Sequence, residues 1–198
     1  MKRIKLIIIY IIIFSCNTLI AHPHLFAGVD IDFDATKLDT LIITERWMFD
    51  DLTSMIILED FDSNGDDEID AKELESLKKL VIPGLKECGF YTDLEINDKK
   101  VIITEISNFS VGVEDIFVYY KFDFKVPILI SDTEQNIKIN VYDREFYTKF
   151  FINADSGINI VESEEIRHDI SVYENEAKSY YFGQLSPLEV KLKIWKEQ

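Results

Sequence analysis

The segment DSNGDDEIDAKE, residues 62–73, sets six carboxylates and an asparagine against one lysine within twelve residues. Like charges at that density repel unless a cation sits among the oxygens, so the stretch has the chemistry of a hard-cation site. With Asp62 as the first loop position, side-chain oxygens fall at Asp62, Asn64 and Asp66. Glu68 then offers its backbone carbonyl, Asp70 acts directly or through water, and Glu73 closes the shell with both oxygens. Ile69 takes the apolar eighth position. This is the ligand spacing of an EF-hand loop, and the expected seven oxygens with a bidentate glutamate favour Ca2+ over Mg2+. A register starting at Asp60 would put Ala71 in the closing position and is rejected. Asp67 stands where an EF-hand has glycine, at a position that turns through positive φ. The competing reading is a solvated acidic turn that joins two helices and holds no ion.

A second candidate is His22-Pro23-His24, which contains two of the three histidines in the chain. Two residues apart on an extended segment, both rings face one side. Cleavage after Ala21 would add the α-amine of His22, and such nitrogens suit Ni2+, Cu2+ or Zn2+ better than calcium. Pro23 lacks an N–H, so a chelate of successive ionised amides is blocked. The bland alternative is that His24 only begins a strand while His22 trails in solvent. His168 alternates with Ile166 and Ile170 and reads as a core or rim histidine before it reads as a ligand.

These candidates need elements to hold them. Leu25 to Asp34 and Leu41 to Phe49 alternate in polarity and predict a hairpin. Asp50 and Asp51 can cap a helix with Leu52, Met55, Ile56 and Leu58 at helical spacing. After the acidic loop, Leu74, Leu77, Leu80 and Val81 mark a second helix that Pro83 and Gly84 kink or end. Beyond Tyr91 the pattern turns strand-like: LEI and VIITEI flank a turn at Asn97-Asp98, followed by IFVYYKFDF, NIKINVY, EIRHDISVY and VKLKIW. The expected class is α+β, a mostly antiparallel β-sheet or sandwich with an EF-hand-type helix-loop-helix inserted at about residues 50–88.

MKRIK followed by LIIIYIIIFS reads as a signal peptide over residues 1–21, leaving 22–198 as a single periplasmic domain. Ile13-Phe14-Ser15-Cys16 is a loose lipobox, so the alternative is a lipoprotein anchored through Cys16. After cleavage no segment remains that would insert in a membrane. Of the 21 basic residues three precede residue 22, while all 37 acidic residues follow it. So acidic a chain excludes nucleic acid as a partner and points to cations and basic protein surfaces. Cys88 alone would remain after processing and reads as a small buried hydrophobe. No G-x-S-x-G, H-E-x-x-H or phosphate-cradling glycine loop occurs, so no catalytic residues are assigned and the chain is not expected to be an enzyme.

The order of parts resembles a known family. A signal ending at Ala21, then His-Pro-His and an aromatic, RWMFDD (46–51), LEDFDSNGDDEIDAKEL and VYDREFY (141–147) look like uncharacterised exported proteins labelled as the periplasmic component of an ABC-type transport system. Members are often encoded beside nickel or cobalt permease-like membrane proteins. The resemblance therefore implies an accessory role in Ni2+ or Co2+ transport, with a membrane permease as partner. Asp143-Arg144 departs from the family's usual Asp-Pro. The main alternative is a calcium-stabilised envelope interaction or structural protein without a transition-metal role.

Overall fold

The computed structural model describes residues 23–197. The expected signal peptide, Cys16 and His22 lie outside the described residues.

Strands β1 (Leu25–Ala35) and β2 (Thr40–Phe49) form the expected antiparallel hairpin, with Ala27 opposite Phe49 and Asp34 opposite Ile42. Their alternation buries Val29, Ile31 and Phe33 on one strand and Leu41, Ile43 and Trp47 on the other. Strand β2 also pairs with β6 (Phe117–Pro127), which pairs with β5 (Ser107–Glu114). On its other edge β1 meets two short strands in succession, both parallel to it. Leu25–Val29 pair with β8 (Thr148–Ile152), and Ile31–Ala35 with β9 (Ile158–Glu162). The first sheet thus runs β5-β6-β2-β1-β8, with β9 also on β1.

The second sheet is antiparallel, in the order β10 (Ile166–Glu174), β11 (Leu188–Lys196), β7 (Gln135–Val141), β3 (Thr92–Ile96), β4 (Lys99–Val101). Asn97 and Asp98 take φ of 50° and 60°, as a two-residue hairpin turn requires. One core cluster spans both sheets, with Trp47, Phe122 and Phe90 beside Leu94, Ile139 and Leu192. Mostly β, with two antiparallel-rich sheets and two helices, the architecture is consistent with the expected α+β sandwich.

Helix α1 (Asp51–Phe61) is capped by Asp50, whose carboxylate accepts the Thr53 N–H at 2.7 Å. Helix α2 (Ala71–Glu87) opens on a capping box made by Asp70 and Glu73. Four details refine or correct the expectations. Of the kink or end expected at Pro83 and Gly84, the end does not occur: helix α2 runs on to Glu87, and Pro83 and Lys79, whose carbonyl loses its partner, are both exposed, so water can satisfy it. Of VIITEI (101–106) only Val101 pairs as strand, at the end of β4 (Lys99–Val101), and Ile102 is exposed. Cys88 is exposed, because it caps the C-terminal end of α2 rather than entering the core. In α1 the buried residues are Thr53, Ser54 and Ile57, while Leu52, Met55 and Ile56 face outward.

Candidate metal-binding loop and histidines

The acidic loop is folded around its own backbone. The Asp62 carboxylate accepts the N–H groups of Gly65 at 2.7 Å and Asp67 at 2.9 Å. Asn64 Oδ1 accepts the Asp66 N–H, and its Nδ2 donates to Asp66 Oδ2 at 3.0 Å. Asp67 takes φ of 60°, the left-handed turn expected at the sixth loop position. Glu68 is exposed, and Ile69 is half-buried.

Glu73 is nearly buried and reaches back across the loop. Its Oε1 accepts both the N–H and the hydroxyl of Ser63 at 2.8 Å, and its Oε2 accepts the Asp70 N–H at 3.0 Å. The bond from Asp70, with those from Ser63, holds the Glu73 carboxyl below the usual range, so the group is ionised at neutral pH. The last residue of the proposed ligand set therefore meets the neighbour of the first. Among the described residues, no three His, Cys, Asp or Glu side chains are gathered closely enough to hold a metal ion. Ion binding would require Asp62, Asp66 and Glu73 to draw together and turn further oxygen lone pairs toward the cation.

His24 is exposed but fixed. Its N–H donates to the Tyr147 carbonyl at 2.8 Å, and its ring lies 5.0 Å from that of Tyr147. Tyr147 is held in turn by Asp143, a nearly buried carboxylate that accepts the N–H groups of Glu145, Tyr147 and Thr148 at 2.9–3.0 Å. His168 sits on the rim, where Nδ1 meets Glu162 Oε2 at 2.7 Å. Glu162 is opposite Ala35 at the far end of β1 from His24. Eleven residues of strand separate the two ends, roughly 35 Å at strand rise, so His24 and His168 cannot share one ion.

Two functional-looking groups lie outside the set read from sequence. Glu45 is fully buried between the sheets, where Trp47 Nε1 donates to it at 2.9 Å and the Thr92 hydroxyl lies at 3.0 Å. Burial pushes its carboxyl up to about 7, with those two hydrogen bonds opposing. The inward phase of β2, from Leu41 through Ile43 to Trp47, marks Glu45 as a core position. The second is Asp143, for which the VYDREFY segment was the only signal.

The family described as protein of unknown function (DUF1007) matches residues 7–186. The chain belongs to this family. A relative in Spirochaeta aurantia, described as an uncharacterised 15.5 kDa protein in the trpE 3′ region, is 28% identical over 129 residues, covering 65% of this chain and 91% of the relative. In this DUF1007 member, VYDREFY is the segment that anchors the start of β1.

Proposed function

We propose that the chain is an exported, calcium-stabilised accessory protein of a transition-metal transport system of the nickel or cobalt type, and not an enzyme. The observation that carries the calcium half is Glu73: its carboxylate already spans the loop to Ser63, ionised. A calcium ion drawing Asp62, Asn64, Asp66, the Glu68 carbonyl, Asp70 and Glu73 inward would tie the end of α1 to the start of α2. The transition-metal half rests on His24, a fixed imidazole two residues after the proposed mature terminus, with His22 and its amine as further nitrogens for Ni2+, Co2+, Zn2+ or Cu2+. A membrane permease would receive the ion. His168, bound to Glu162 at the other end of β1, stays outside this set.

The test is a melting curve of chelator-treated protein. With a Kd of about 10⁻⁴ M, about 1 mM calcium adds about 1.4 kcal/mol, a rise of a few degrees for a chain of this size. Glu73→Gln should remove most of the rise. A curve that calcium leaves unmoved makes the loop a solvated turn. A second reading, an envelope interaction protein without a transition-metal role, is favoured by the outward apolar face of α1. It predicts that removing His22 and His24 changes nothing the protein does.

A further inference from the structure

Helix α1 turns two hydroxyl side chains, Thr53 and Ser54, inward beside Ile57. Ser54 is fully buried, and its hydroxyl accepts the Val118 N–H at 2.8 Å while lying 3.4 Å from the Phe49 carbonyl. This pin to β6 fixes the rotation of the helix, so Leu52 and Met55 are left 57% and 58% exposed. Opposite them, the turn between β5 and β6 raises Ile116, 62% exposed. Helix and turn enclose an open groove of about 750 Å3.

The floor of the groove is apolar, made by Leu52, Met55, Leu58, Val113 and Ile116. Its rim carries five carboxylates, Asp51, Glu59, Asp62, Asp67 and Asp115, and no basic residue lines it. Covering large apolar side chains is favourable, and crowded carboxylates gain from any cation set between them. Both needs are met by one kind of occupant. A second copy of this acidic chain would bring two such rims together, and an anionic membrane would be repelled by either. Leu52, Met55 and Glu59 follow the helical spacing of α1, so the groove runs along a helix and suits another helix laid beside it.

We propose that this groove docks a basic amphipathic helix of a partner protein, its apolar stripe on the floor and its Lys or Arg residues against the rim. The inference goes beyond the metal reading and does not depend on it.

The probe is a labelled synthetic Lys/Leu peptide of about five helical turns with its leucines in one stripe. It is titrated by fluorescence anisotropy into the full chain in EDTA, so that the acidic loop's response to calcium plays no part. Saturable one-to-one binding is expected, weaker in high salt. Met55→Asp, or Leu52→Gln as a milder change, should weaken it by about tenfold or more. A peptide of the same composition with a scrambled stripe should bind weakly to both proteins. The aspartate variant is decisive because it adds negative charge: attraction by charge alone would be strengthened by it. Unchanged or tighter binding to Met55→Asp, or equal binding of the scrambled peptide, overturns the proposal. So does a dimer of the chain alone that Met55→Asp dissolves, which assigns the groove to a second copy. Binding that emerges only when residues 1–21 are removed assigns it to the chain's own leader, and overturns the proposal likewise.

Discussion

The backbone carbonyl of Tyr147 accepts the N–H groups of both His24 and Leu25, at 2.8 and 3.2 Å, while its ring lies against the His24 imidazole. The start of β1 is thus fastened to a loop more than a hundred residues later, and the fastening depends on Asp143. Asp143→Ala leaves three N–H groups without their acceptor, one of them, on Thr148, buried. The expected loss is about 2–3 kcal/mol in chemical denaturation, with His24 resonances shifting in the folded protein. A variant as stable as the parent would show that the loop is held by other means.

The transition-metal site, if built as proposed, has a sharp geography. Copper should bind most tightly in vitro, because that order belongs to the ions, and binding should weaken on acidification as protons compete for the nitrogens. His24→Ala should lower the affinity at least about tenfold, since one of few nitrogen ligands is lost. His168→Ala, at the other end of β1, should leave it unchanged. Calorimetric titration of the two variants separates these outcomes, and equal losses from both would dissolve the N-terminal assignment.

Glu45 gives the protein a pH dependence of definite sign. Its folded carboxyl titrates near 7 against 4.5 for a free glutamate, so between those values the folded state holds the proton more tightly than the unfolded one. Stability from this group is complete below pH 4.5 and fades as pH rises through about 7, by about 3 kcal/mol in all. Glu73 acts in the opposite sense and at lower pH: its lowered carboxyl contributes above the free value and is lost on acidification. Glu45→Gln, which keeps an acceptor for Trp47, should flatten the decline in melting temperature between pH 5 and pH 8. An unaltered slope would mean that Glu45 is not its source.

Ser54→Ala removes the acceptor for the buried Val118 N–H. The expected cost is about 1–3 kcal/mol, or several degrees of melting temperature for a chain of this length. Amide exchange should quicken first in α1 and at Val118. Exchange that speeds up evenly through the sheets would argue that the pin does not govern the seating of α1.

What could be read from sequence was whatever has a local cause. Alternation in Leu25–Asp34 and Leu41–Phe49 produced the β1–β2 hairpin, and Asn97-Asp98 produced the turn between β3 and β4 because both residues tolerate left-handed backbone. The ligand spacing of the acidic loop was visible, but not that Glu73 would spend its oxygens on Ser63 and Asp70. Strands β8 and β9 left no clear mark, since each is five residues long and pairs with a strand over a hundred residues earlier. The face that α1 buries was not legible for a related reason. Leu52, Met55 and Ile56 have helical spacing, yet the Val118 N–H of β6 donates to Ser54 and holds that residue inward, which leaves Leu52, Met55 and Ile56 facing solvent.

The double docking on β1 bears on how the protein behaves when crowded. Among the described residues neither β8 nor β9 pairs with a further strand, so this side of the sheet could recruit a foreign chain. The ladder is broken midway, however. Between the two strands the chain turns at 153–157, the Asn153 and Gly157 backbones bond to Val29 and Ile31, and a side chain at Gly157 would fall 2.3 Å from Asp30 Oδ1. An incoming strand would find only five residues in line before losing its template. The interruption acts as a guard against edge-to-edge polymerisation, and Gly157→Ala, whose added methyl would crowd Asn153 within the turn as well as the Asp30 carboxylate, is the change most apt to weaken it.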